Sequence, residues 1–333
     1  MKTKIVYVVA SLDDDIYMEQ AIVSAWSARH YNPDCHIEMA CDQDTYATLN
    51  SGIRAQYKNI FDQIHVRQFQ PEQSMKERSR WMKTTLREFI EGDFFFIDTD
   101  TVIIGDLSII DSIQADVAMA YNANSPFPIG KTNSLGDRWI NKHLKIVGWE
   151  ALNGCFHFNS GVIFAKDTSL AKTLFNKWHN NWLESCKYNV YVDQPALTKA
   201  NKEVGELIQR LDDTLNWQIQ RHGCNIPTGT KILHYFASDQ NYSAFVFAQD
   251  SFLRQIKESG MLVDQVDYYL DNIDLAFEKV THVISEDDYT LLKEINHYPI
   301  FRLKRTHPSF FSFVNTTIKM ISRIKAFVSK CKL

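Results

Sequence analysis

The chain is poor in the residues that break or cross-link structure. Its 333 residues include only 12 glycines and 8 prolines, with no low-complexity stretch and no internal repeat. That excludes fibrous, solenoid and disordered classes and leaves a globular chain able to bury one large or two modest cores. Six cysteines, Cys35, Cys41, Cys155, Cys186, Cys224 and Cys331, form no CxxC pair and no regular spacing. A disulfide framework is therefore not expected; scattered core thiols in a reducing, cytoplasmic compartment are. Long apolar runs are missing too. Residues 5–12, after Lys2 and Lys4, could pass for a secretory leader, but Asp13, Asp14 and Asp15 stand where a small-residue cleavage site belongs. A first parallel strand is expected there instead. No glycine-rich phosphate loop follows it. Residues 301–333 contain no acid: Arg302, Lys304, Arg305, Lys319, Arg323, Lys325, Lys330 and Lys332 make this tail +8, leaving −12 on the remainder of a chain whose net charge is −4. So acidic a body is a poor partner for nucleic acid, whereas the tail calls for an anionic surface or an acidic partner.

What the chain does have is concentrated in residues 93–107, DFFFIDTDTVIIGDL. Phe94, Phe95, Phe96 and Ile97 are too few to span a bilayer and too aromatic and β-branched for anything but a buried strand. Asp98 and Asp100 follow, one residue apart. On an extended backbone both would leave one face at the strand's C-terminal edge. Buried acids so close are costly unless a cation sits with them, and carboxylates suit Mg²⁺ or Mn²⁺; zinc would call for His or Cys clusters that this region lacks. The alternative is an acidic turn, because Val102, Ile103 and Ile104 resume the apolar pattern and Gly105-Asp106 turns it.

Periodicity and turn residues predict a helix over 15–30, a strand over 36–40, a helix over 43–57 and a strand over 63–66. This is the doubly wound α/β order: a mostly parallel central sheet flanked by helices, with ligands beyond the C-terminal strand ends. A basic helix over 74–91 feeds the aromatic strand, and another strand is expected over 116–121. Residues 122–153 lose periodicity and suggest an acceptor-side loop or lid with short helical pieces within it. A strand over 155–164 and a helix over 169–186 follow, with Trp178 and Trp182 expected in the core. Beyond residue 249, helices are expected over 251–259, 264–280 and 286–296. The organisation expected is 1–249, a helical extension over 250–300, and a basic amphipathic tail over 301–333.

The Asp98-Thr99-Asp100 unit between apolar strands resembles the metal motif of GT-A glycosyltransferases. Over roughly residues 5–240, the order of several further short motifs resembles glycosyltransferase family 8. The resemblance implies a GT-A, Rossmann-like fold that grips a divalent ion, Mn²⁺ or Mg²⁺, between Asp98, Asp100 and a later histidine, His234. The segment from Ser11 to Tyr17 is similar to the family's first turn. By resemblance Asp14 accepts the uracil N3 hydrogen and Tyr17 stacks on the base, with Ser11 and Thr99 on the same donor side. A helix-capping acid and a packed tyrosine are compatible with this reading. Arg80, with Lys83 and Arg78 behind it, is implied to reach the donor, the alternative being a solvated basic helix face. Asn159, in FNSGV, is implied to lie against the transferred sugar, unless it marks a strand bulge. Asp193, before Gln194-Pro195, is implied to sit under the reacting sugar, unless it is an N-cap. After His234 the family's Gly and Lys-Pro-Trp are replaced by Phe236-Ala237-Ser238-Asp239-Gln240-Asn241. Lys231, Lys83 or Arg80 must then neutralise the leaving diphosphate, or the donor is held differently.

The implied activity is metal-dependent transfer of a sugar from a UDP-linked donor to a glycan or lipid-linked acceptor, with retention, in cell-surface polysaccharide or lipopolysaccharide assembly. Two rivals are a nucleotidyltransferase, disfavoured by the acidic loop after the first strand, and a non-catalytic sugar-binding protein. In the tail, Phe310, Phe313, Val314, Ile318, Ile321, Ile324 and Val328 share a helical face opposite Lys319, Arg323 and Lys330. Such a helix suits an anionic membrane surface, here the inner face of the cell membrane; docking on the acidic body is the alternative.

Overall fold

The structure is a computed structural model and describes residues 1–132, 135–219, 226–236, 245–260, 263–277, 307–314 and 316–317. The chain divides into two units, Met1–Glu278 and Lys279–Leu333. In the first, β1 (Lys4–Val9), α1 (Tyr17–Tyr31), β2 (Ile37–Asp42) and β3 (Gln63–Arg67) build one wing of a sheet. The other wing comprises β4 (Phe94–Ile97), β6 (Val117–Tyr121), β7 (Phe158–Ala165) and β8 (Gln209–Arg210). The order is β3-β2-β1-β4-β7-β6-β8, parallel except for β7, which runs antiparallel to β4 and β6. This is the α/β class expected.

Both faces of the sheet are covered, as its near-continuous apolar strands require. Phe95, Ile97, Ile5, Tyr7 and Val9 pack into one core, and Phe94, Phe96, Val6 and Val8 into the other. Trp178 and Trp182 lie buried in the second core, as expected. They sit on α6 (Ser169–Cys186), which Thr168 caps through the amide of Ala171. The sheet reverses its strand order at β1 and β4, and the crevice at their C-terminal ends is where such folds bind ligands.

Three local expectations are corrected. The segment 43–57 is not one helix: α2 (Gln43–Thr48) ends before Gly52, whose φ of +69° no helix continues, and a 3₁₀ stretch, Arg54–Ile60, follows. The basic helix breaks into α3 (Met75–Thr84) and α4 (Leu86–Phe89), where the Thr84 and Thr85 hydroxyls donate back to the carbonyls of Arg80 and Trp81. Within 122–153, α5 (Leu135–Val147) buries Ile140, Leu144 and Val147 at helical spacing. The prolines and glycines before it had masked that period.

Residues after Ile97 leave the main sheet. β5 (Thr101–Ile103) joins β9 (Trp217–Gln218) and β10 (Ile232–His234) in a second, three-stranded sheet of order β5-β10-β9. Helices Asp250–Ser259 and Val263–Asp271 belong to the first unit and pack on α1, where Trp26 Nε1 donates to Asp267 and the Tyr31 hydroxyl to the Leu270 carbonyl. The expected helix over 286–296 and most of the amphipathic tail lie outside the described residues; in the second unit, 308–314 and 316–317 are helical. Among the described residues no helix is long and apolar enough to cross a membrane, and Cys35, Cys41, Cys155 and Cys186 are unbridged.

Candidate functional site

Asp98 and Asp100 do not continue a strand. They occupy the bend in which the chain passes from β4 in the main sheet to β5 in the small one. The bend is pinned at three points. The Asp98 amide donates to the Gly161 carbonyl on β7 (2.7 Å), the Thr101 hydroxyl to the Asp98 carbonyl (2.8 Å), and the Tyr235 amide to the Asp100 carbonyl (3.0 Å). Because β10 pairs with β5, His234 arrives beside them. One ligand atom from each of Asp98, Asp100 and His234 lies within 4.8 Å of the others. His234 Nε2 is 3.3 Å from Asp100 Oδ1.

The histidine is tightly held. Its ring stacks on Phe236 with centroids 4.0 Å apart, and Phe236 itself takes a left-handed φ of +51°, uncommon for an aromatic residue. On the other side the ring abuts Gly161, where a Cβ would meet His234 Cε1 at 2.2 Å. The small residues of FNSGV therefore make room for this ring. His234 Nδ1 lies 3.0 Å from Asn216 Oδ1; Asn216 Nδ2 lies 3.0 Å from Asn159 Oδ1; and the Gly161 amide donates to the same Asn159 oxygen at 2.9 Å. Asn216 was not singled out in the sequence. Its only signal is its place in LDDTLNW, the last polar residue before β9.

Asp193 faces the same crevice. It begins α7 (Gln194–Glu203), yet its carboxylate does not cap that helix. It accepts from the Ser160 hydroxyl (2.8 Å) and lies 3.7 Å from Lys83 Nζ and 3.4 Å from Arg80 Nε. The indole N–H groups of Trp178 and Trp182 hold the approach to it by donating to the carbonyls of Asp193 and Tyr191. Lys83 is buried, with Nζ 3.1 Å from Asp98 Oδ1 and 4.9 Å from the Phe96 ring centroid. Arg80 and Lys83 both come from α3, which starts with a reciprocal Ser74–Glu77 capping box. Arg78, in contrast, is committed to Asp42 and Asp44. Lys231 opens onto the Gly105 turn, where its Cδ crowds the glycine. Of the cations proposed to replace the family lysine, Lys83 and Arg80 stand at the site and Lys231 stands apart.

Three carboxylates thus meet two permanent cations. Burial raises the pKa of Asp100, but the neighbouring His234, a backbone amide and Lys83 outweigh it and leave the value lowered. Asp193 behaves likewise: burial is overcome by Lys83, Arg80 and the Ser160 hydrogen bond. Burial would lower the Arg80 value, yet Asp193, Asp98, Asp100 and Tyr17 raise it. Asp100 and Asp193 are therefore biased toward their ionised forms, and a carboxylate–imidazole set of this spacing fits a divalent cation.

Of the residues expected on the donor side, Ser11, Asp14 and Tyr17 follow β1 and Thr99 lies in the bend after β4. Asp14 is exposed and the Tyr17 ring is about half exposed at 48%, which leaves its face open. The α1 N-cap position is Ile16, with no side-chain cap; Asp15 just before it accepts from the amides of Leu12 and Tyr17 and so ties the loop to the helix start. Ser11 is fully buried; its hydroxyl donates to Asp15 and accepts from the Met18 amide, so it shapes the loop. Thr99 is half-buried, its hydroxyl 3.5 Å from Gln20 Oε1. Residues 12–15 are also gripped from beneath. Arg54, paired with Glu19 at 2.7 Å, donates to the carbonyls of Leu12 and Asp15, and Lys257 Nζ donates to the Asp15 carbonyl at 2.6 Å.

The sequence itself matches no protein family and no curated protein. Solved structures similar to the chain include the galactosyltransferase LgtC in complex with donor and acceptor sugar analogs, at 15% identity over 86% of this chain and 99% of that one, with a TM-score of 0.49. The glycosyltransferase GlyE of Streptococcus pneumoniae TIGR4 is 15% identical over 85% of this chain and 67% of its own, at a TM-score of 0.47. Mouse xyloside xylosyltransferase 1, in its apo form, is 11% identical over 70% and 97%, at 0.46. Likeness at this level says nothing of chemistry, and function must be argued from the side chains of the crevice.

Proposed function

We propose that the chain is a metal-dependent glycosyltransferase that moves a sugar from a UDP-linked donor to a glycan or lipid-linked acceptor. The observation that supports this most is the meeting of Asp98, Asp100 and His234 within 4.8 Å, beside Asp193 and at the point where the sheet reverses its strand order. Asp98, Asp100 and His234 would hold Mn²⁺ or Mg²⁺, which would supply positive charge to the leaving diphosphate. Arg80 and Lys83 take the part of the absent family lysine; buried Arg80 Nε stands 3.4 Å from Asp193 but makes no hydrogen bond among the described residues, and this N–H is the donor offered to a phosphate or sugar oxygen. Asp193, held ionised, bonds a sugar hydroxyl and stabilises positive charge developing at the anomeric carbon. Asn159 contributes only its Nδ2 to that sugar, since its oxygen already accepts two protein hydrogens. Asp14 accepts the N–H of the base and Tyr17 stacks beneath it.

Retention of anomeric configuration is part of the reading, because inversion would need a carboxylate base at the acceptor hydroxyl. The basic amphipathic tail places the enzyme at the inner face of a membrane, where lipid-linked acceptors of polysaccharide or lipopolysaccharide assembly are found. The test is UDP release from a panel of UDP-sugars with Mn²⁺, for the wild-type chain and Asp100→Ala. Release is expected only with the carboxylate and the ion both present. Equal turnover in the variant would remove the metal-transferase reading.

A further inference from the structure

The hydrogen bonds behind His234 admit one assignment of donors and acceptors. Amide oxygen and nitrogen look alike, so side-chain orientation must come from a group whose role is fixed. The Gly161 backbone N–H is such a group: it can only donate, so the Asn159 atom 2.9 Å from it is the oxygen. Asn216 approaches that same oxygen at 3.0 Å and must present its NH₂. The other atom of the Asn216 amide is then its oxygen, 3.0 Å from His234 Nδ1, and Nδ1 must carry the hydrogen. Nε2 of the neutral ring is left with its lone pair aimed at Asp100 Oδ1, 3.3 Å away. Two lone pairs facing each other at that distance repel unless positive charge lies between or beside them.

We propose that Asn216, backed by Asn159 and the Gly161 amide, is a positioning residue that locks His234 in the Nδ1–H tautomer and so dedicates Nε2 to a divalent cation shared with Asp98 and Asp100. This rests on the metal reading of the site and extends it to two residues that never touch the ion. Both asparagines are buried, so neither amide can be turned over by solvent, and Phe236 and Gly161 fix the plane of the ring between them. The hydrogen bond made by the second ring nitrogen is what sets a ligating histidine's tautomer. The relay starts from a backbone amide of β7, so the register of that strand defines the protonation of a ring on β10.

The experiment uses the full chain and two readouts. Nitrogen-15 spectra of the metal-free protein in alkaline buffer should show His234 with a protonated Nδ1 and a bare Nε2. Loss of the free Mn²⁺ electron paramagnetic resonance signal then measures binding. Asn216→Ala and Asn159→Leu should each weaken Mn²⁺ by about 10-fold or more, the usual effect of removing such an outer partner. Asn159→Asp keeps the oxygen that orders Asn216 and should bind within about threefold of wild type, which separates relay loss from general damage at that position. Mn²⁺ binding by a ring in the Nε2–H form, or full affinity in Asn216→Ala, would overturn the relay. A wild-type chain that shows the Nδ1–H tautomer but binds no Mn²⁺ would overturn the metal reading itself and the cation half of this proposal with it.

Discussion

Adding one methyl group at Gly161 tests how closely β7 and His234 are fitted. In Gly161→Ala the new Cβ would lie 2.2 Å from His234 Cε1 and 2.9 Å from Asn159 Oδ1. Comfortable carbon contacts begin near 3.5 Å, so one partner must yield by about 1.3 Å. The ring cannot retreat freely, because Phe236 stacks on it with centroids 4.0 Å apart. Nor can the strand, because the Gly161 carbonyl accepts from the Asp98 amide and its own amide donates to Asn159. Overpacking of this kind costs about 1–3 kcal/mol. The strain falls on the ligand ring, so Mn²⁺ affinity should drop by about 10-fold or more. Urea denaturation gives the first quantity and calorimetric Mn²⁺ titration the second. A variant with wild-type midpoint and wild-type affinity would refute the close-approach reasoning, whatever happened to turnover.

Glu38 gives a pH prediction away from the site. Its buried carboxylate accepts from Lys4 Nζ at 2.6 Å and His65 Nε2 at 2.8 Å; burial raises its pKa, but these partners hold it at about 2 against an ordinary 4.5. A depressed carboxylate contributes stability above the unfolded value, and that share is lost as pH falls from 4.5 through 2. The share is on the order of 3 kcal/mol, and Glu38→Gln should flatten that acid limb in denaturation curves; an unchanged limb would contradict it. Lys83→Met should lower the unfolding free energy measured in urea by the about 3–5 kcal/mol typical of breaking a buried ion pair, with Mn²⁺ restoring more stability to the variant than it adds to wild type. An unaltered midpoint would show that Asp98 and Asp193 do not need Lys83. Deleting residues 306–333 should abolish sedimentation with anionic liposomes and leave turnover on a soluble acceptor; a truncated chain that still pellets would locate the membrane contact elsewhere.

The first half of the sheet was legible because β1, α1, β2 and β3 follow one another with short connections, and their apolar runs are local facts. The convergence of Asp98 and Asp100 was legible as well, but for a different physical reason from the one the spacing offered. Asp98 and Asp100 were expected on one face of an extended strand; they converge because a bend carries the chain between two sheets. That bend depends on β5 pairing with β10, about 130 positions away, which no local pattern records. Asn216 stayed hidden for the same reason, since its meaning lies in His234 and Asn159 rather than in its neighbours. The absence of a side chain at Gly161 admits the histidine ring, and the Ser160 hydroxyl holds Asp193, both by contacts with residues distant in sequence. Helix α5 was foreseen only as short helical pieces without bounds, because the prolines and glycine just upstream drown a three-turn period in a short window.

Lys257 reaches the Asp15 carbonyl across 242 positions of sequence. Helix Asp250–Ser259 is thereby a tether for the very loop assigned to the nucleotide base, and Arg54 is its counterpart from the other side. Fusions, nicks or shortened versions of the chain that disturb this helix would slacken the loop proposed to read the base without touching any side chain proposed to face the donor, so a fragment meant to keep that loop ordered must extend past it.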